Sequence, residues 1–420
     1  MTKKLQQSNI RHIYSRSTRD PDFLYDKVDT YYQKRVKEEF QGTHPLKGSS
    51  PGPNSVLMRS NDYLCLSGDK RILKAKIRAL RKLGHGDSAS RIWGYHSQDL
   101  MREFELRMAG LMKAEDGVLC NSGYSANVGL IQAFATPETP VYIDMLAHMS
   151  LWEGISSAKA EAKPFRHNDP NHLERQVKKY GPGFIAVDAL YSTDGDIAPL
   201  EEIVQISEKY GCVLIVDETH SFGAQGPNGA GIVVQKKLAD RVHFRTVGLS
   251  KAVASRGGMV LCSKRNAEFF GYEAFPNIFS TSVLEHEVVG YNAVLDILQS
   301  DDWRPKRLHK NHAFLKKNLS ALGYNVESSK TQIISLEPGE ILKTIKLRQV
   351  LEENDIFGSV FLSPAVPDKR SLIRFTVNCG LSTKQLHYVI DVCKNIREEV
   401  KMEEWRSTRR LNRYIKSNAA

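Results

Sequence analysis

The chain has 420 residues, of which 41% are hydrophobic and 25% charged, the balance of a globular protein too long for one ordinary core. No apolar run approaches the roughly 18–20 residues that span a bilayer, and the opening "MTKKLQQSNIRHIYSR" has no apolar stretch of the secretory kind. Much of the +11 formal charge sits in basic ends that read first as solvated termini; an anionic small-molecule substrate comes second, and nucleic acid or acidic membrane third, for want of a reading module.

Residues 1–58 read as an N-terminal arm that runs through the loop cluster "GSSPGPNS". From 59 to 300, short apolar runs alternate with helix-like stretches such as "LEEIVQISEKYG". The runs are "DGVLCNSG", "PVYIDM", "GFIAVDAL", "CVLIVDE" and "VHFRTV". Continuous apolar runs imply strands covered on both faces, and their alternation with helices implies a large, mostly parallel α/β sheet. Residues 301–403 change texture and suggest a smaller C-terminal α+β domain, followed by a basic tail at 404–420. Its last helix begins at a capping box, Ser382 with Gln385, and carries Leu386, Val389, Ile390, Cys393 and Ile396 at helical spacing. That stripe is core. The six cysteines are scattered without a C-x-x-C pair, which fits a reducing cytoplasm better than a disulfide framework or a zinc site.

In an open α/β sheet, ligands bind beyond the carboxyl ends of the strands, so the residues there form the candidate set. They are Ser122, Gly123 and Tyr124 at a predicted helix start, His148, Ser192, Asp217 with His220, and Lys251. Singly, each has a plain structural explanation as a cap, a core histidine or a solvated lysine. Together they offer a phosphate cradle at a helix N-terminus, an imidazole, a hydroxyl, an acid with a histidine three residues on, and a lysine 34 residues past the acid. Those parts match pyridoxal phosphate. A lysine amine condenses with its aldehyde, and a carboxylate beside the ring nitrogen keeps that nitrogen protonated, so the ring acts as an electron sink. "GPNGAG" has the wrong glycine order for a dinucleotide loop, no Walker motif occurs, and "GLSKA" lacks the last glycine of a nucleophile elbow. "HNDPNH" (His167 to His172) lacks metal-ligand spacing and reads as a loop; no metal site is expected.

The motifs "SNDYL", "NSGYSAN", "YSTDGDIAPL", "VDETHSFG", "GLSK" and "RFTVN" occur in the order seen in the α-oxoamine synthases, and the chain resembles that family from about Arg59 to Val400. These are fold-type I pyridoxal phosphate enzymes related to 8-amino-7-oxononanoate synthase and serine palmitoyltransferase. "ANVGLIQ", "VYIDMLAHMSLWEG", "GPNGAG" and "FGSVFLSPA" look most like the α-hydroxyketone quorum-sensing autoinducer synthases of the CqsA and LqsA type, with the basic tails leaning to the second.

The resemblance implies an aminotransferase-like fold and a cytoplasmic homodimer acting on a fatty acyl-CoA and an amino acid or related amine. It implies that Lys251 is the Schiff-base lysine, Asp217 the partner of the pyridinium nitrogen, His148 the stacking histidine and His220 the histidine near the phenolic oxygen. Ser192 falls at a cofactor contact, and Gly123 and Tyr124 match the phosphate cradle. Ser280 and Thr281 match residues that reach the phosphate from the neighbouring subunit. Arg374 matches the carboxylate clamp, a bidentate task suited to guanidinium, with Asn61 as a second contact.

Two positions depart from the pattern. Relatives often carry a hydroxyl three residues before the lysine, where this chain has Gly248, with Thr246 and Ser250 as neighbouring hydroxyls. A histidine near the position of Asp99 is shifted in "GYHSQD", which bears on the substrate-side loop. The expected reaction is a decarboxylative condensation giving an α-aminoketone, later converted to the α-hydroxyketone. The alternatives are biotin-precursor, sphingoid-base or threonine-catabolic chemistry in the same family, a simple aminotransferase, or a basic regulatory or nucleic-acid-binding protein that keeps the fold.

Overall fold

The computed structural model describes residues 20–42, 44–86, 88–93 and 98–411. Two units are distinguished, divided after Ser49 within the predicted loop cluster. In the first, a helix at Asp22–Thr30 runs on into a wider π-type helix at Tyr31–Glu39.

The second unit carries the strands. In chain order they are β1 (Val56–Leu57), β2 (Asp116–Cys120), β3 (Pro140–Asp144), β4 (Glu161–Phe165), β5 (Phe184–Asp188), β6 (Val213–Asp217), β7 (Phe244–Gly248), β8 (Gly258–Cys262), β9 (Ile333–Gly339), β10 (Ile356–Phe357), β11 (Ser359–Phe361) and β12 (Ser371–Thr376). Seven of them form one sheet in the order β2-β8-β7-β6-β5-β3-β4. All run in one direction except β8, which is antiparallel to both neighbours. This is the mostly parallel α/β sheet expected from the apolar runs. Strands β2, β5, β7 and β8 are buried along their whole length because helices cover both faces.

Two members were not among the predicted runs. One is β8. The other, β4, is an edge strand of sequence EAKPF, half exposed, whose Pro164 gives no ladder donor and is tolerated only at an edge. The C-terminal part holds a three-stranded antiparallel sheet, β11-β12-β9, and the helix Thr383–Asn395 with the predicted Ser382–Gln385 capping box. Its stripe packs inward: Leu386, Val389, Cys393 and Ile396 are buried, and Ile390 partly so.

Register places the site. Asp188 and Asp217 are paired residues at the carboxyl ends of β5 and β6, and Thr246 of β7 is paired with Asp217. Above these ends the helix Gly123–Phe134 lies against the helix Met149–Ser157. Their approach depends on Gly154, where a Cβ would come 3.0 Å from both Asn127 O and Ile131 Cβ. That contact carries Ser150 to Asn127.

Candidate active site

The strand β6 is an apolar core element, with Leu214, Ile215 and Val216 fully buried, and it ends abruptly in Asp217 and Glu218. Backbone geometry explains the glycines that follow. Gly223, Gly226, Gly229 and Gly231 all have positive φ, between 74° and 90°, where a side chain is strained. A Cβ on Gly231 would sit 2.4 Å from Glu218 Oε1. The Glu218 carboxylate accepts from Val233 N–H and Ser221 O–H at 3.0 Å each and ties the loop down. Glu218 is therefore an anchor, and burial pushes its carboxyl pKa up. Asp217 is the residue that faces the cavity.

That cavity has a volume of about 180 Å³, and its wall includes Gly123, Tyr124, His148, Asp217, His220 and Lys251. Six residues the sequence placed at strand ends or loop starts thus converge on one space. Asp217 is held on both oxygens: Asn127 Nδ2 donates to Oδ2 at 2.7 Å and Thr219 N–H donates to Oδ1 at 2.8 Å. Asn127 also donates to Ser150 Oγ at 2.8 Å, and Ser150 Oγ lies 2.7 Å from His148 Nδ1. His148 caps the helix Met149–Ser157, so the ring is fixed by the turn it starts. Asn127, Ser150, Asp188 and Thr219 line the same wall. Sequence reasoning missed all four. Asp188 ends its strand as Asp217 does, and Asn127 lies one helical turn past Gly123, so both left a local signal.

The electrostatics separate the groups. Burial lowers the Lys251 pKa, aided by the Arg374 charge and opposed by Asp217. Burial also lowers the His148 pKa, against the pull of Asp217, and holds His220 well below the usual imidazole range. His220 Nδ1 lies 2.5 Å from the hydroxyl of fully buried Tyr63, and Gln332 Nε2 donates to its carbonyl at 2.7 Å. Asp188, buried next to Asp217, has its pKa raised well above the carboxylate range by burial first and by that neighbour second.

A second cavity of about 680 Å³ shares His148, His220 and Lys251 with the first. Asn61, Ser192 and Arg374 line it, with an apolar wall that includes Met145, Met149, Trp152 and Val366. Arg374 is buried on β12. Its Nη1 donates to Ser192 O at 2.7 Å, its Nη2 to Asn61 Oδ1 at 3.0 Å, and its Cζ lies 4.6 Å from the Phe361 ring centroid. Its Nε has no partner among the described residues. The Ser192 contact is thus through its carbonyl.

Ser280 and Thr281 stand apart from both cavities. Asn121 Nδ2 donates at 2.7 Å to Ser280 Oγ and to Thr281 O. Of the two hydroxyls near Gly248, Ser250 reaches the first cavity, while Thr246 Oγ1 is buried without a partner among the described residues. The "GYHSQD" segment lies outside the residues whose side chains are described. A further cavity, about 470 Å³, is lined by Arg91, Arg102, Glu105 and Asp116, which are paired among themselves.

The family model for aminotransferase class I and II matches residues 53–392. The CAI-1 autoinducer synthase of Vibrio campbellii is 38% identical over 383 residues, covering 91% of this chain and 97% of that one. The chain belongs to the α-oxoamine synthases of this family. An 8-amino-7-oxononanoate synthase of Alkaliphilus oremlandii is 30% identical over 389 residues, covering 91% of this chain and 98% of that one. A serine palmitoyltransferase structure with PLP is similar at a TM-score of 0.83 and 25% identity, covering 90% of this chain and 99% of that one. Both the α-oxoamine synthase family and the fold expected from the sequence are those found.

Proposed function

We propose that this chain is a pyridoxal phosphate-dependent C-acyltransferase that makes the α-aminoketone precursor of an α-hydroxyketone autoinducer. The observation that carries the reading is one cavity faced by a lysine of depressed pKa, a doubly hydrogen-bonded aspartate and two histidines held in place by named partners. The residues fit the cofactor. Gly123 and Gly248 face each other so closely that a Cβ on Gly123 would lie 2.7 Å from Gly248 Cα, which leaves bare backbone at a helix start for a phosphate. When bound, the cofactor supplies an electrophilic aldehyde and a ring that accepts an electron pair.

Lys251 would hold the aldehyde end. Its lowered pKa favours the uncharged amine, the form that would take the Cα proton of the amino substrate. Asp217, fixed by Asn127 and Thr219, would hold a proton on the ring nitrogen of the bound cofactor. His148, held by Ser150, and His220, oriented by Tyr63, would contact the cofactor's ring system when it is bound. Arg374, with Asn61, binds the substrate carboxylate. The larger cavity, with its apolar wall, takes the acyl chain. In the net reaction the substrate Cα bonds to the thioester carbonyl carbon and the C–S bond breaks to release CoA. The Cα–carboxylate bond breaks to release carbon dioxide, and a proton replaces it.

The position of Ser280 and Thr281 outside their own chain's cavity supports a homodimer in which they serve the other subunit. Among the described residues no helix is long and apolar enough to cross a membrane, and all six cysteines are free, which supports a reducing compartment.

Adding pyridoxal phosphate to apoprotein should give a visible band that borohydride bleaches, with the reduced adduct on the peptide that contains Lys251. Lys251→Ala should give no such band. A wild-type protein that takes up no cofactor rejects the reading. Similarity to 8-amino-7-oxononanoate synthases favours one second reading, a biotin-precursor acyl transfer. Mass spectrometry of products from paired amines and acyl-CoAs separates the two.

A further inference from the structure

We infer that Thr219 supplies the hydroxyl that binds the cofactor's phosphate, in the space left open by the glycine at 248; the inference rests on the cofactor reading above. Thr219 lines the smaller cavity beside Ser122, Gly123, Tyr124, Gly248 and Ser250. Its Oγ1 accepts the Gly248 N–H at 2.8 Å, which fixes the side chain. A hydroxyl has one proton to give, and no acceptor among the described residues takes this one. The oxygen lies by the helix start: a Cβ on Gly123 would be 3.6 Å from it. Its donor is therefore free where an anion would meet the first N–H groups of the helix Gly123–Phe134.

Gly248 is not demanded by backbone conformation, since it is absent from the positive-φ glycines. It is demanded by room. A Cβ there would meet Thr219 Cγ2 at 2.9 Å and Oγ1 at 3.2 Å. The Thr219 side chain thus occupies the volume a side chain at 248 would need, and the two positions can hold one hydroxyl between them. The main-chain N–H of Thr219 also holds Asp217 at 2.8 Å, so one residue links the two ends of the cofactor site.

The test is equilibrium titration of apoprotein with pyridoxal phosphate and, separately, with pyridoxal, followed by absorbance and tryptophan fluorescence. Thr219→Val should weaken pyridoxal phosphate by about 10- to 100-fold, the range for a hydrogen bond to a charged group, and leave pyridoxal within about twofold. Thr219→Ser should keep wild-type affinity. Gly248→Ser alone should weaken binding through the clash, whereas Thr219→Ala combined with Gly248→Ser should restore it. Equal losses for both ligands in Thr219→Val, or no loss for either, overturn the inference. A wild type that binds neither ligand rejects the cofactor reading itself, and the inference with it.

Discussion

His167 gives a prediction whose size follows from the structure. Its Nδ1 lies 2.9 Å from Asp144 Oδ1 and its Nε2 lies 2.7 Å from Asp196 Oδ2, so the ring joins the end of β3 to the segment after β5. Burial works against the imidazolium, but the bonds to Asp144 and Asp196 outweigh it and raise the pKa from 6.5 to about 10. A rise of that size corresponds to about 5 kcal/mol at most. The side chain is 22% exposed. Solvent screening therefore reduces the expected contribution to about 2–3 kcal/mol. The folded-state pKa is the higher one. The contribution is therefore complete below pH 6.5 and is lost as pH rises through 10. The perturbation is His167→Gln. Asp144 still accepts from Leu146 N–H at 2.8 Å and Asn168 N–H at 2.9 Å, so its carboxylate is not stranded. Thermal melts of both proteins from pH 6 to pH 10 should show a gap of roughly 2–4 °C at the acid end that closes toward the alkaline end. A gap that stays constant or widens with pH would refute the assignment of a charged ring.

Three further substitutions probe the site and its support. Asn127→Leu removes the 2.7 Å bond to Asp217 and should weaken pyridoxal phosphate binding to apoprotein about 10- to 100-fold; a change under twofold would show that Asn127 does not hold the aspartate. Arg374→Ala should raise the KM for the amino substrate by at least about tenfold while the KM for acyl-CoA moves little, because the guanidinium carries a free Nε and one bond on each terminal nitrogen; equal rises contradict a carboxylate role. Gly231→Ala places a methyl 2.4 Å from Glu218 Oε1 at a φ of 90° and should cost at least about 2 kcal/mol, seen as a lowered Tm; an unchanged Tm would show that the loop does not depend on this packing.

What the sequence discloses is what lies close along the chain. Asp217, His148, His220 and Lys251 were legible because each follows an apolar strand, and strand ends meet at one edge of a parallel sheet. The capping box at Ser382 was legible because both partners lie within four residues. Tyr63 was not, since it meets His220 across 157 positions. The "HNDPNH" segment is a loop only through Asp169, which caps a helix that takes Pro170, Asn171 and His172, and the pairing of His167 with Asp144 and Asp196 depends on how strands lie in the sheet. The link from Asp217 through Asn127 to Ser150 and His148 needs two helices to touch at Gly154, which no local pattern announces.

The pair at the ends of β5 and β6 shows how register becomes chemistry. Two buried aspartates are paired residues on neighbouring strands, an arrangement that costs free energy if both are charged. The fold treats them unequally. Asp217 receives two short hydrogen bonds from Asn127 and Thr219, whereas the Asp188 carboxylate receives, among the described residues, a single 3.3 Å bond from the His148 N–H. Burial and the Asp217 charge push the Asp188 pKa up, which favours its neutral form. The identical "VD" endings of the two strands thus sit in different hydrogen-bond surroundings, because Asn127 and the Thr219 N–H both reach Asp217.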